Sequence, residues 1–210
     1  MAYGITINAT SGQTYTVDNW EITNSTFNHN SCKGFYAEKL SNAVFTGVTV
    51  TNNGNVDLTP DLADPDNCGV DINLKYGNYQ NITFNNMTVT GNGIGSPNGT
   101  GITVKARGTG NDPSYSSNPA TLTNVNINGG TFTGNVMAIR LGEPDKNNTS
   151  PTNINIKGAN IAKSNNSGGV VNYLSGVTVD ATDNYWDSAN GPTHNGNTYN
   201  KTDQGSTVIG

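Results

Sequence analysis

The sequence predicts an all-β chain wound as a solenoid of about six to seven short turns with inserted loops. Three observations predict it. Only 12% of the 210 residues are charged, and the polarity comes from Asn, Thr, Ser and Gly, which are poor helix formers. Thr suits strands, whereas Asn and Gly suit turns. A unit of twelve residues recurs along the chain. Within each unit the apolar residues alternate with period two, the signature of short strands with one buried face.

Five segments overlay without internal gaps: "NWEITNSTFNHN" from Asn19, "NAVFTGVTVTNN" from Asn42, "NITFNNMTVTGN" from Asn81, "NVNINGGTFTGN" from Asn124 and "NINIKGANIAKS" from Asn153. A sixth, "GVTVDATDNYWD", begins at Gly176. The starts lie 23, 39, 43, 29 and 23 residues apart, so the longer intervals read as one turn plus an inserted loop. Counting the first residue as zero, offset 1 holds Trp20, Ala43, Ile82, Val125, Ile154 and Val177. Offset 3 holds Ile22, Phe45, Phe84, Ile127, Ile156 and Val179, and offset 8 holds Phe27, Val50, Val89, Phe132, Ile161 and then Asn184.

Offsets 1–3 and 6–8 are therefore two strands separated by a bend. A third strand-like piece follows each unit: "GFYAEKL" (34–40), "GVDINLKY" (69–76), "GITVKA" (101–106), "MAIRL" (137–141) and "GVVNYL" (169–174). Three strands and three bends per turn make a solenoid, in which one turn cannot bury its apolar side alone and stacked turns share a continuous core. A β-sandwich would not explain why Asn30, Asn53, Asn92 and Asn135 recur at offset 11. Stacked side-chain amides can hydrogen-bond from turn to turn and hold a corner.

This pattern resembles the right-handed parallel β-helix of the pectate-lyase-like superfamily over nearly the whole chain. The handedness is implied by the resemblance, not by the repeat. "DNYWDSANGP" resembles the Asn-Trp-Trp-Gly … Gly-Pro ending that follows β-helix repeats in many bacterial and archaeal surface proteins, with Tyr185 for the first Trp and Asp187 for the Gly. Residues 1–192 are expected to form the helix, and 193–210 a tail or cap ending in a short strand at "STVIG". Open solenoid ends invite edge pairing, so Tyr185 and Trp186 are expected to cover the end. An exposed aromatic pair that stacks on sugar is the alternative.

Polysaccharide lyases of this superfamily use an outward face with acidic groups, often with Ca²⁺, and a basic residue that abstracts a proton. The third-strand pieces offer an outward column of Glu38, Asn73, Lys105, Arg140 and Tyr173, with Asp71 on the same face. Asp71, Lys105 and Arg140 are the catalytic candidates, and Glu38, Asn73 and Tyr173 the binding candidates. The same residues also suit plain cross-strand charge pairing. The Asn-Thr-Asp, Asp-Asp and Gly-His-Gly set of polygalacturonases and the Asp-Pro-His motif of alginate epimerases are missing, and His29 and His194 are isolated.

Asp57, Asp61, Asp64 and Asp66 cluster in one insertion, a candidate Ca²⁺ site through carboxylate oxygens whose spacing matches no EF-hand. A solvated acidic loop is the simpler reading. Cys32 and Cys68 both lie just before a Gly that opens a third-strand piece, a candidate disulfide if the compartment is oxidising and otherwise two buried thiols. Thr-x-Thr pairs at 49–51, 88–90 and 131–133 resemble the ice-binding face of some antifreeze solenoids, although Thr is also an ordinary choice for an exposed strand.

A formal net charge of -5 argues against nucleic acid, whose binders usually present a basic patch. No apolar run is long enough to insert into a membrane. The N-terminus has no signal-peptide pattern and reads as a strand entered mid-protein, so a larger parent polypeptide, secreted or at the cell surface, is expected. The favoured function is a surface module that binds polysaccharide or another glycan, or that serves adhesion and display. A polysaccharide-active enzyme and an ice-binding protein are the alternatives.

Overall fold

The computed structural model describes residues 3–10, 15–55, 66–109, 118–144, 146, 148–200 and 207–209. The fold is all-β, with parallel strands in stacked sheets and no helix among the described residues. Sheet 1 holds Glu21–Thr23, Ala43–Thr46, Gly77–Asn85, Ala120–Asn128, Thr152–Lys157 and Val179–Asp180. Sheet 2 holds Thr26–Asn28, Thr49–Thr51, Thr88–Thr90, Thr131–Thr133 and Asn160–Ile161. Sheet 3 holds Tyr3–Ile7, Lys33–Ala37, Cys68–Leu74, Thr100–Ala106, Met137–Leu141, Gly168–Asn172 and Val208–Ile209. A small fourth sheet pairs Val17–Asp18 with Leu40–Ser41.

The chain visits sheets 1, 2 and 3 in rotation, and each strand pairs with its counterparts one turn before and after. That strand traffic is consistent with a β-solenoid. The register follows the sequence repeat: Phe45 faces Phe84, which faces Ile127, which faces Ile156. Val50, Val89, Phe132 and Ile161 form the matching inward column of sheet 2. The alternation thus buries one column per strand, and each buried Val, Ile or Phe contributes about 1.5–3 kcal/mol. Phe45 and Phe84 stack with centroids 4.9 Å apart, and Phe35 meets Phe45 edge-on at 5.0 Å.

Asn19, Asn42, Asn81, Asn124 and Asn153, which open the repeat units, all have left-handed backbones, with φ of 55°, 48°, 58°, 63° and 53°. Asn tolerates that conformation better than other side-chain-bearing residues. Their amides form an outer ladder: Asn42 donates to Asp18, Asn81 to Asn42, Asn124 to Asn81 and Asn153 to Asn124. An inner ladder runs the opposite way: Asn30 donates to Asn53 at 2.7 Å, Asn53 to Asn92 at 3.0 Å, Asn92 to Asn135 at 2.9 Å and Asn135 to Asn165 at 3.1 Å. Its last member is Asn165, not Ser164 as the gapless overlay has it. Ser164 accepts the Gly134 N–H instead.

The last unit also departs from the gapless overlay. Tyr185 bridges Asn160, and Ile161 N donates to Tyr185 O. Val179 likewise pairs with Ile154, not with Ile156, so the whole unit starts at Thr178, two residues later than the overlay has it, and Trp186 falls in the inward column beyond Ile161. Trp186 is buried and joins the hydrophobic core, whereas Tyr185 is 53% exposed. Covering of the core end falls to Trp186; Tyr185 points outward and extends the outer column of sheet 2.

Candidate functional site

Sheet 3 differs from the others in that both faces of its inner strands, Lys33–Ala37, Cys68–Leu74, Thr100–Ala106 and Met137–Leu141, are buried. Its outward side carries charge. Tyr36 pairs with Asp71, Asp71 with Thr103, and Thr103 with Arg140, so these four form one row. Asn73 pairs with Lys105 in the row beside it. Arg140 therefore stands two residues away from the position opposite Lys105. The cause is a column of small residues, Gly34, Gly69, Gly101 and Ala138, that sets the register. A Cβ on Gly34 would lie 2.8 Å from Gly69 O, and one on Gly69 would lie 2.6 Å from Gly101 O, so backbone approach excludes a side chain there.

Asp71 is fully enclosed. Its carboxylate meets Lys33 Nζ at 2.9 Å and Lys105 Nζ at 3.8 Å. Burial pushes its pKa up, but Lys105, Lys33 and Arg140 outweigh burial and hold the carboxyl below its ordinary value. Arg140, 0% exposed, donates from Nη1 to Asp66 Oδ1 at 3.0 Å and to Asn98 O at 2.9 Å, and from Nε to Thr103 Oγ1 at 3.2 Å. Asp66 is shifted down in the same way: burial opposes ionisation, and Lys105 and Arg140 overcome it.

Glu143 bridges Lys105, at 3.7 Å, and Arg107. Glu38 accepts from Tyr36 Oη, Lys75 Nζ and the Ala9 N–H, and Asn73 donates to Tyr36 Oη at 3.0 Å. Burial, with Asp71 and Glu38 adding to it, pushes the Tyr36 hydroxyl far above its usual pKa.

The structure thus gathers Asp71 and Lys105 in one array with Arg140 on the adjacent strand, and seals them. The array is a closed charge network rather than an open cleft. Lys105 and Arg140 are both engaged with carboxylates, and a proton-abstracting base needs reach to a bound substrate. Glu38 and Asn73, taken as outward binding residues, are 5% and 4% exposed, whereas Tyr173 is 38% exposed. Charged side chains are seldom buried unless paired, so the sequence pointed to an open face. Lys33, Tyr36, Thr103 and Glu143 belong to the network and were not among the candidates. Aligning the third-strand pieces on the Gly34, Gly69, Gly101 and Ala138 column finds the Tyr36–Asp71–Thr103–Arg140 row directly.

Cys32 and Cys68 are free thiols. Lys33, not Cys32, pairs with Cys68, so the two cysteines are one residue out of step. Cys32 Sγ donates to Asn67 Oδ1 at 3.2 Å, and burial, then Asp71, pushes the Cys68 thiol far up. Asp57, Asp61 and Asp64 lie outside the described residues, and Asp66 is the Arg140 partner.

The accessible polar surface lies on sheets 1 and 2. On sheet 2, Thr26, Thr49, Thr88, Thr131 and Asn160 stack in one outward row, and Asn28, Thr51, Thr90 and Thr133 in the next. On sheet 1, Thr23, Thr46, Asn85, Asn128 and Lys157 align, as do Glu21, Val44, Thr83, Asn126, Asn155 and Asp180. These side chains are half-buried or exposed, and the charged ones stand toward the ends of the rows. A cavity of about 300 Å³ at the C-terminal end is mainly apolar, lined by Val170, Val177, Val179, Ala181 and Val208 among others. No protein-family model, curated protein or solved structure matches the chain.

Proposed function

We propose that the chain is a right-handed parallel β-helix of the pectate-lyase-like kind, part of a secreted or cell-surface protein, that binds or displays glycan on the open face of sheets 1 and 2. The observation that carries this reading is the set of rows in register there, mostly Asn and Thr with charge only toward the row ends, repeating every strand spacing of about 4.8 Å. A surface with many hydrogen-bonding groups and little charge suits a neutral extended polysaccharide better than a uronate. The enclosure of Asp71, Lys105 and Arg140 weighs against a lyase or hydrolase working on sheet 3.

A glycan array tests the proposal, with Asn126→Tyr and Thr88→Tyr, which interrupt the rows at mid-length. Binding to neutral glycans that both variants abolish is the expected result. A blank array, or binding untouched by either variant, overturns it. The Thr49/Thr51, Thr88/Thr90 and Thr131/Thr133 pairs favour ice binding as a second reading; thermal hysteresis lost in Thr88→Tyr supports that, and a wild type without hysteresis ends it.

A further inference from the structure

Six Asn-Gly steps occur, at Asn53, Asn92, Asn98, Asn128, Asn190 and Asn195. Such a step is chemically special because the Gly nitrogen, unshielded by a side chain of its own, can attack the Cγ of the preceding Asn. The attack requires that nitrogen to give up its proton. In five of the steps the Gly N–H donates to a carbonyl oxygen, which is no base. Gly54 donates to Asn30 O at 2.8 Å, Gly93 to Asn53 O at 2.8 Å, Gly99 to Ser96 O at 3.0 Å, Gly129 to Lys157 O at 2.7 Å and Gly191 to Ser188 O at 3.3 Å. Asn53 and Asn92 are also locked, fully buried in the inner ladder.

The sixth step differs. Gly196 N donates to His194 Nδ1 at 3.0 Å. As an acceptor, Nδ1 is the unprotonated nitrogen of the imidazole, placed on the proton that must leave. Asn195 is exposed, so water can reach its amide.

We propose that Asn195 is a self-modifying site at which His194 acts as the base. His194 Nδ1 takes the Gly196 amide proton, and Gly196 N bonds to Asn195 Cγ. The bond from Cγ to the side-chain nitrogen breaks, and that nitrogen leaves as ammonia with one proton returned to it. Water then opens the resulting succinimide at either carbonyl, giving Asp or isoaspartate at position 195. The product adds a negative charge and, as isoaspartate, an extra backbone carbon. It forms within the turn in which Asn197 N donates to His194 O at 2.9 Å. That turn and the next hold the Gly-Pro ending: Asn197 Nδ2 donates to Asn190 O and Pro192 O, and Asn200 Nδ2 to Gly191 O. Modification would loosen these contacts as the protein ages.

The test is to age the intact protein at neutral pH and follow each Asn-Gly peptide by mass spectrometry. Asn195 is expected to convert ahead of the other five, and His194→Phe to slow it about tenfold, a modest part of what a positioned base supplies, while Asn190 keeps its rate. His194→Asn preserves a side-chain acceptor for Gly196 N without a base, and is expected to be as slow as His194→Phe. Conversion of Asn190 or Asn98 ahead of Asn195, or an unchanged rate in either His194 variant, overturns the proposal.

Discussion

Removing one rung of the inner amide ladder should cost far more than removing one rung of the outer ladder. Asn92 is fully buried and makes five side-chain hydrogen bonds. In Asn92→Ala, Asn53 Nδ2 keeps Phe27 O, Asn135 Oδ1 keeps the residue-92 N–H, and Thr90 O keeps the Asn52 N–H. The Asn53 N–H is left without its acceptor, at about 2 kcal/mol, and Val50 O, which keeps its ladder place opposite Thr88–Thr90, loses a second bond, at about 1 kcal/mol. A loss of about 3 kcal/mol lowers Tm by about 6–12 °C for a chain of this length. Asn124→Gly is the control. Asn124 is only half-buried and holds φ at 63°, a conformation that Gly adopts freely, so water replaces its bonds at a cost below about 1 kcal/mol. Urea titrations read both, as a shift in midpoint with unchanged slope. Equal losses for the two variants would refute the claim that the buried ladder holds the corner.

Trp186→Ala should cost about 3–5 kcal/mol, as for an aromatic removed from a core, and Tyr185→Ala should stay within about 0.5 kcal/mol; the same titrations separate them, and the reverse order would invert the roles assigned to the pair. Asp71→Ala leaves Lys33 and Lys105 without that buried counter-charge and should cost about 3–5 kcal/mol. The Asp71 carboxyl is held below its unfolded value, so its contribution is complete above about pH 3.9 and drains away as pH falls below that; the wild-type urea midpoint should drop there more steeply than that of Asp71→Ala. Thiol reagents should find Cys32 and Cys68 unreactive in the native protein and both reactive in denaturant, and a native disulfide would contradict the one-residue offset between them.

The strands of sheets 1 and 2 were readable because each buries one face, and period two then encodes inside and outside in the residue order. The inner ladder was readable because a corner that needs a buried amide in every turn leaves Asn at a fixed offset. What escaped the sequence depends on register shifts smaller than a strand. The sixth unit starts at Thr178, but Val177 and Val179 show the same apolar alternation two residues early, and a match on them puts Asn184 where Trp186 belongs. Arg140 was misaligned because "MAIRL" has no opening Gly and Ala138 stands in that column. The constraint that sets the column is backbone approach at Gly34, Gly69 and Gly101. The sealed network was hidden for a different reason. A charged residue on an outward strand position normally meets water, and only loop-borne partners such as Asp66 and Glu143, remote in sequence, reveal that it does not. The outer Asn ladder was in plain view at the head of the first five units, and the missing step was conformational. An Asn recurring where the chain must turn left-handed is selected first for φ and only then for its hydrogen bonds, so the two ladders share a residue type for different reasons. That difference is why loss of an outer rung is tolerated by Gly and loss of an inner rung is not.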